Sequence, residues 1–341
     1  MISSVELTAE KNVGSDAVLI ASADGSFHIE KDTQKVFEFQ VKPFHLYRLE
    51  FESLNATTGY WVADFYDASG EFNYADNYSG IDPNSDWTPW TTVFMARSEA
   101  ATSTIGFRPT STPLDVRNVK LYEVPKSEVL DWMDSFSYSE QVKPFALSEN
   151  RFEYLPKTIQ RLREGKPLRI VALGDSLSND VQNSLWHLLA ERNHPGSVIE
   201  LIHANGIEKF CTNYQKPEVL ERLVIKHKPD LLTIGGVSHR GDSQAIANIV
   251  RTVREKVPEV ECLFFDASAN PYYEIELRQK FFAELEPLSR AERFALLDLS
   301  ALYEEQVKHI GKSAEYYKRD NAHANDRGKQ LMGHLYSLFF I

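Results

Sequence analysis

The sequence predicts two domains of different class: an N-terminal all-β jelly-roll sandwich and a C-terminal α/β domain on a parallel sheet. Three observations predict it. The chain has 341 residues, more than one core usually organises. Residues from about 16 to 124 alternate apolar and polar with a period of two, the pattern of half-buried strands. From residue 126 on, continuous apolar runs alternate with helical patterns.

In the first region, alternation is clear in Phe37–Val41, Tyr47–Phe51, Trp61–Tyr66, Thr104–Phe107 and Val116–Leu121. Turn signals separate these runs: Lys42-Pro43, Asp67-Ala68-Ser69-Gly70, the segment from Ile81 to Ser85, and Thr110–Pro113. Many short strands at this spacing make a sandwich. Helical spacing then appears at 127–136, with Ser127 as N-cap, and at 151–165, with Gly165 as C-cap. The predicted division is a sandwich over 1–125, a helix-bearing linker over 126–150 and an α/β domain over 151–341. Within the last, LRIVAL (168–173), VIELIHA (198–204), LLTIGG (231–236), CLFFDA (262–267) and FALLDL (294–299) read as strands buried on both faces. Helices between them, such as Gln244–Val253, give a three-layer arrangement.

The composition, 43% hydrophobic and 25% charged, is that of an ordinary globular protein. A net charge of -12 argues against nucleic acid and anionic membrane surfaces as partners. No apolar run reaches the length of a transmembrane helix. The opening residues lack signal-peptide character; the expectation is a secreted or periplasmic protein whose leader is absent from this sequence, in preference to a cytoplasmic one. Two cysteines, Cys211 and Cys262, exclude a disulfide framework and read as buried thiols, with one bridge as the alternative. The sequence leaves oligomeric state open.

Two short motifs carry chemistry. Gly174-Asp175-Ser176 ends the first apolar run of the α/β region, where open parallel sheets place their ligands. A helix expected from about Asn179 to Glu191 would point its N-terminal amides towards Ser176, a setting for a nucleophile and a developing oxyanion. The structural alternative is that Ser176 or Ser178 caps that helix. Far along the chain, Asp320 and His323 stand three apart before the last helical run. That spacing lets one loop present a base and the carboxylate that orients it. The alternative there is a solvated loop with Asp326 as a helix cap.

Together these motifs resemble the SGNH, or GDSL, hydrolase family over residues 165–341, and the entry LPKTIQRLREGKPLRIVALGDSLSND resembles its polysaccharide O-acetylesterase-like branch. The resemblance implies a flavodoxin-like α/β fold, Ser176 as nucleophile, His323 as general base and Asp320 as its orienting acid. It also implies an oxyanion hole from the Ser176 N–H, a backbone N–H at Gly206 (or at Phe210-Cys211), and a third donor. Where the family carries asparagine, this chain reads Gly235-Gly236-Val237-Ser238-His239, so His239 or Ser238 stands in, or the donor is absent. The expected activity is hydrolysis of a short O-acyl ester, acetyl foremost, on a polysaccharide or oligosaccharide, without a cofactor. The rivals are a lipase, thioesterase or acyltransferase on the same scaffold, and a carbohydrate-binding protein with an inactive hydrolase-like domain.

The β region resembles jelly-roll carbohydrate-binding modules. Its segment EFNYADNYSGIDPNSDWTPW reads as a long polar loop bearing Tyr74, Tyr78, Trp87 and Trp90, the candidates for stacking on sugar faces. Most rings of a sandwich belong to its core. A structural calcium could use Asp67, Asp76 or Asp115, although no calcium-loop spacing occurs, and no zinc pattern is present.

Overall fold

The computed structural model describes residues 9–12, 25–31, 34–55, 57–205, 210–236, 242–270 and 275–341, with the side chains of 9–12, 35 and 73–76 excepted. The chain divides into two compact units, Met1–Phe136 and Ser137–Ile341. The boundary falls inside the segment expected as a linker.

In the first unit the strands are β1 (Ala9–Asn12), β2 (Phe27–Ile29), β3 (Lys35–Gln40), β4 (Leu46–Asn55), β5 (Gly59–Tyr66), β6 (Phe72–Ile81), β7 (Asn84–Met95), β8 (Thr102–Pro109) and β9 (Leu114–Glu123). They form two antiparallel sheets, β1-β3-β8-β5-β6 and β2-β9-β4-β7. Counted from β2, this interleaving of early and late strands is the jelly-roll order. Alternation puts Phe37, Phe51, Trp61, Phe65, Phe94 and Phe107 inside, where edge-on pairs such as Phe51–Phe107 at 4.9 Å fill the core. Helix α1 (Lys126–Asp134) closes the unit, tied by Trp132 Nε1 donating to the Thr91 carbonyl (3.1 Å). It starts one residue before the expected Ser127 cap, with Pro125 at the N-cap.

The second unit opens with α2 (Tyr138–Gln141) and α3 (Pro156–Arg163). Pro156 at the first helical position sets the start of α3, later than the periodicity suggests. The sheet strands are β10 (Leu168–Gly174), β11 (Ile199–Asn205), β12 (Leu231–Gly235), β13 (Glu261–Asp266) and β14 (Ala295–Asp298). All pair in parallel, in the order β11-β10-β12-β13-β14. Renumbered within the domain this is 2-1-3-4-5, the flavodoxin-like order. The connecting helices are α4 (Ser176–Gln182), α5 (Trp186–Asn193), α6 (Cys211–Tyr214), α7 (Pro217–Leu223), α8 (Ser243–Lys256), α9 (Ile275–Glu292), α10 (Leu299–Ile310) and α11 (Asp326–Leu338).

The single helix expected after the nucleophile motif is in fact two. The chain breaks at Leu185, which adopts a left-handed φ of 61°. Ser184 makes the break, donating to the Val181 carbonyl (2.5 Å) and accepting from the Trp186 N–H (3.3 Å). Both cysteines are buried and neither is in a disulfide. Among the described residues no helix is long and apolar enough to cross a membrane.

Candidate active site

β10 delivers Gly174-Asp175-Ser176 to its carboxyl end, at the point where the strand order reverses between β11 and β12. Asp175, not Ser176 or Ser178, caps α4: its Oδ1 accepts from the Leu177 and Ser178 N–H groups at 3.0 Å each. Ser176 is therefore the first helical residue and its hydroxyl is free of capping duty. It is the single exposed residue between 170 and 190. The turn leaves no room for side chains around it. A Cβ on Gly174 would lie 2.3 Å from the Gly235 carbonyl oxygen, and one on Gly236 (φ +114°) 1.8 Å from Asp175 Oδ1. Nearby, Asn205 Nδ2 donates to Ser178 Oγ (2.5 Å) and the Tyr214 hydroxyl to the Gly174 carbonyl (2.7 Å), fixing the turn from below.

The segment between α10 and α11 folds back on itself, with Lys318 bridging Ala324. It ends on α11, whose N-cap is Asn325, accepting from the Gly328 N–H (3.1 Å), in place of the expected Asp326. This turn brings His323 Nε2 to 2.8 Å from Ser176 Oγ and His323 Nδ1 to 2.9 and 3.0 Å from the two Asp320 oxygens. A carboxylate can only accept, so Nδ1 carries the proton and Nε2 is left to accept from the serine hydroxyl. Asp320 Oδ1 also accepts from the Ala322 and His323 N–H groups, both at 2.8 Å. Burial alone would raise this carboxyl, but the bonds from the His323 ring and these two amides outweigh it and hold it well below the carboxylate range. On His323, burial favours the neutral ring; the Asp320 bond and the Asp180 charge outweigh it and raise the imidazole above 6.5.

Behind the triad lies a pair that the sequence did not reveal. Asp180, on α4, accepts from Arg319 Nη1 (2.8 Å) through Oδ1 and from the Ala324 N–H (2.8 Å) through Oδ2. The two residues lie 139 positions apart, and their only sequence signal is the spacing of Ser176 and Asp180 by one helical turn. The resemblance-derived oxyanion donors Gly206, Ser238 and His239 lie outside the described residues. Phe210, the alternative to Gly206, is exposed and is the N-cap of α6.

The four aromatic candidates of the sandwich are not on a loop. They lie in β6 and β7, edge strands of different sheets. The Tyr74 side chain is outside the described atoms. Tyr78 lies under the Arg108 guanidinium (5.7 Å to the ring centre) and Trp87 under that of Arg117 (4.1 Å). Trp90 stacks on core Phe51 at 6.3 Å and donates to Ser53 Oγ (2.8 Å). The β1-β3-β8-β5-β6 sheet carries a groove of about 310 Å³ lined by Glu38, Asp64, Tyr66, Thr104 and Arg108, among others. Glu38, Thr104 and Asp64 are direct neighbours across three strands and project away from the core. Of the calcium candidates, Asp67 accepts from the Ser69 and Glu71 N–H groups, Asp115 from His28, and the Asp76 side chain is not described. Among the described residues no group of three His, Cys, Asp or Glu side chains could hold a metal.

A Ser–His–Asp constellation at the carboxyl edge of a 2-1-3-4-5 parallel sheet has the geometry of a serine hydrolase site. No family model and no curated protein matches the chain. Among solved structures it is similar to a two-domain esterase active on acetylated mannans (17% identity, covering 55% of this chain and 52% of that one, TM-score 0.45). It is also similar to a Clostridium thermocellum family 3 carbohydrate esterase (14%, 50% and 94%, 0.38) and to a peptidoglycan O-acetylesterase (9%, 99% and 77%, 0.32). The match spans about half the length of the two-domain esterase.

Proposed function

We propose that the chain is a serine esterase that removes short O-acyl groups, acetyl foremost, from a polysaccharide or oligosaccharide. The observation that carries the reading is Ser176: exposed in a stretch otherwise buried, and 2.8 Å from a histidine whose far nitrogen is held by a carboxylate. Such a serine can attack an ester carbonyl while His323 takes its proton. His323 then returns the proton to the leaving sugar oxygen, forming an acyl-serine that water cleaves by the same steps in reverse order. The oxyanion would be met by the Ser176 N–H, which Asp175 leaves free while taking the next two amides. Gly206 and His239 are proposed as the further donors. The chemistry is complete without a metal or organic cofactor.

The carbohydrate part of the reading is supported by the sandwich, whose groove offers carboxylates, a hydroxyl, a guanidinium and a tyrosine ring to a polyhydroxylated chain. The proposed sugar contacts of Tyr74, Tyr78, Trp87 and Trp90 are secondary to it. The test is labelling with a fluorophosphonate, together with acetate release from acetylated polysaccharides. An adduct mapping to Ser176, with both activities lost in Ser176→Ala, is expected. An adduct on another serine, or full activity in Ser176→Ala, overturns the assignment.

A further inference from the structure

The loop that carries Asp320 and His323 is anchored to the helix that carries Ser176 by one buried ion pair. Asp180 lies one turn beyond Ser176 on α4, and its side chain is 3% exposed; that of Arg319 is 7% exposed. The carboxylate spends one oxygen on Arg319 and the other on the Ala324 N–H. Arg319 Nη1 also donates to the Ala324 carbonyl (2.8 Å), and the Arg319 N–H donates to the His323 carbonyl (3.0 Å). The backbone is thus tied at His323 and again at the next residue. Stability alone is a weak reason for such a pair, because apolar residues of similar volume commonly stabilise as well or better. What apolar residues cannot do is fix a loop in direction and register through hydrogen bonds.

We propose that Asp180 and Arg319 are positioning residues for the reaction, holding His323 at hydrogen-bond distance from Ser176. The proposal rests on the triad reading above. Its two charges also act on the His323 ring with opposite sign: Asp180 favours the imidazolium and Arg319 disfavours it. The other charges at hand are Asp320, on the same loop, and Lys329 and Asp326, on α11. Burial pulls the Lys329 ammonium down to about 8, against the opposing charges of Asp326 and Asp180. A mere structural strut would lower the amount of folded protein without moving the histidine in two directions.

The test uses the full chain and p-nitrophenyl acetate, with kcat and KM measured between about pH 5 and 8, where an unperturbed histidine titrates. In Asp180→Asn the acidic limb of the kcat/KM profile moves to lower pH; in Arg319→Gln it moves to higher pH. Both variants lose about 10- to 100-fold in kcat with little change in KM, the scale of a misplaced catalytic group. Arg319→Lys keeps the charge, but its side chain ends about one bond short of the Nη1 position that meets both Asp180 and the Ala324 carbonyl. Its limb stays in place while kcat falls partway towards Arg319→Gln. Limbs that stay put or move together in folded Asp180→Asn and Arg319→Gln overturn the proposal, as does a wild-type kcat in either. If circular dichroism shows that those two do not fold, Arg319→Lys decides: reduced kcat with an unmoved limb supports the proposal, and wild-type kcat overturns it. Ser176→Ala is run alongside. A wild type without ester hydrolysis, or a Ser176→Ala variant that keeps it, fails the triad reading and this proposal with it. An active, Ser176-dependent wild type with immobile limbs fails the proposal alone.

Discussion

In the proposed mechanism His323 acts as a base only when neutral, so the rise of its pKa above the ordinary histidine value moves the acidic limb of kcat/KM upward. Activity is expected to be lost as pH falls through the raised pKa. Stability runs the other way. The bonds of charged His323 stabilise the fold below the unfolded histidine pKa, and that contribution fades as pH rises through the raised one. Asp320→Asn removes the partner that lifts the imidazole and permits the wrong tautomer. Its acidic limb moves down and turnover falls by about 10³- to 10⁴-fold. A pH–rate profile of both proteins on one acetyl ester checks this, and coincident limbs would show that Asp320 does not act on the ring. That Ser176, His323 and Asp320 could meet was legible because each sits in a short motif beside a strand end or a final helix. Asp180 and Arg319 were not, because a buried pair formed across 139 residues leaves no local pattern. The helix start expected at Asn179 also hid the one-turn spacing from Ser176.

At the scale of elements, the strands of the parallel sheet were readable to within a residue, since burial on both faces leaves continuous apolar runs. The stretch Phe72–Ile81 was not. Asn73, Asp76, Asn77, Ser79 and Gly80 are turn formers by propensity, and tertiary pairing with β5 overrides them. In sequence the two helices after Ser176 look like one, because nothing local marks Ser184 as the residue that breaks them. The turn at Ser176 depends on close approach between elements, which gives a sharp expectation. Gly236→Ala sets a methyl 1.8 Å from Asp175 Oδ1 and strains a φ of +114°. Asp175 must swing away from its two amides, a cap worth about 1 kcal/mol, on top of backbone strain of about 1–3 kcal/mol. For a domain of this size the midpoint of thermal unfolding should fall by on the order of 10 °C, with turnover reduced as Ser176 shifts. An unchanged midpoint would mean that the turn adapts without cost.

At the scale of the molecule, the two units carry separable tasks in the proposed function: ester chemistry in 137–341 and sugar contact in the sandwich. The change of period near residue 126 made the division readable, while α1, expected in a linker, belongs to the first unit. Cutting the chain at the boundary would confound lost binding with lost folding, so point changes in the groove are the cleaner probe. Tyr66 and Glu38 line it and neither belongs to the buried core. A contact made equally to ground state and transition state alters KM and leaves kcat alone. Tyr66→Ala and Glu38→Ala should therefore raise KM for an acetylated polysaccharide by about tenfold, the scale of one lost hydrogen bond to a charged group. On p-nitrophenyl acetate, which is too small to reach a second surface, both variants should match the wild type. Acetate-release kinetics on the polymer, set beside the chromogenic assay, separate the outcomes. Equal KM values on the polymer would remove the groove from substrate binding, and a parallel loss on the small ester would show that the changes had damaged the fold.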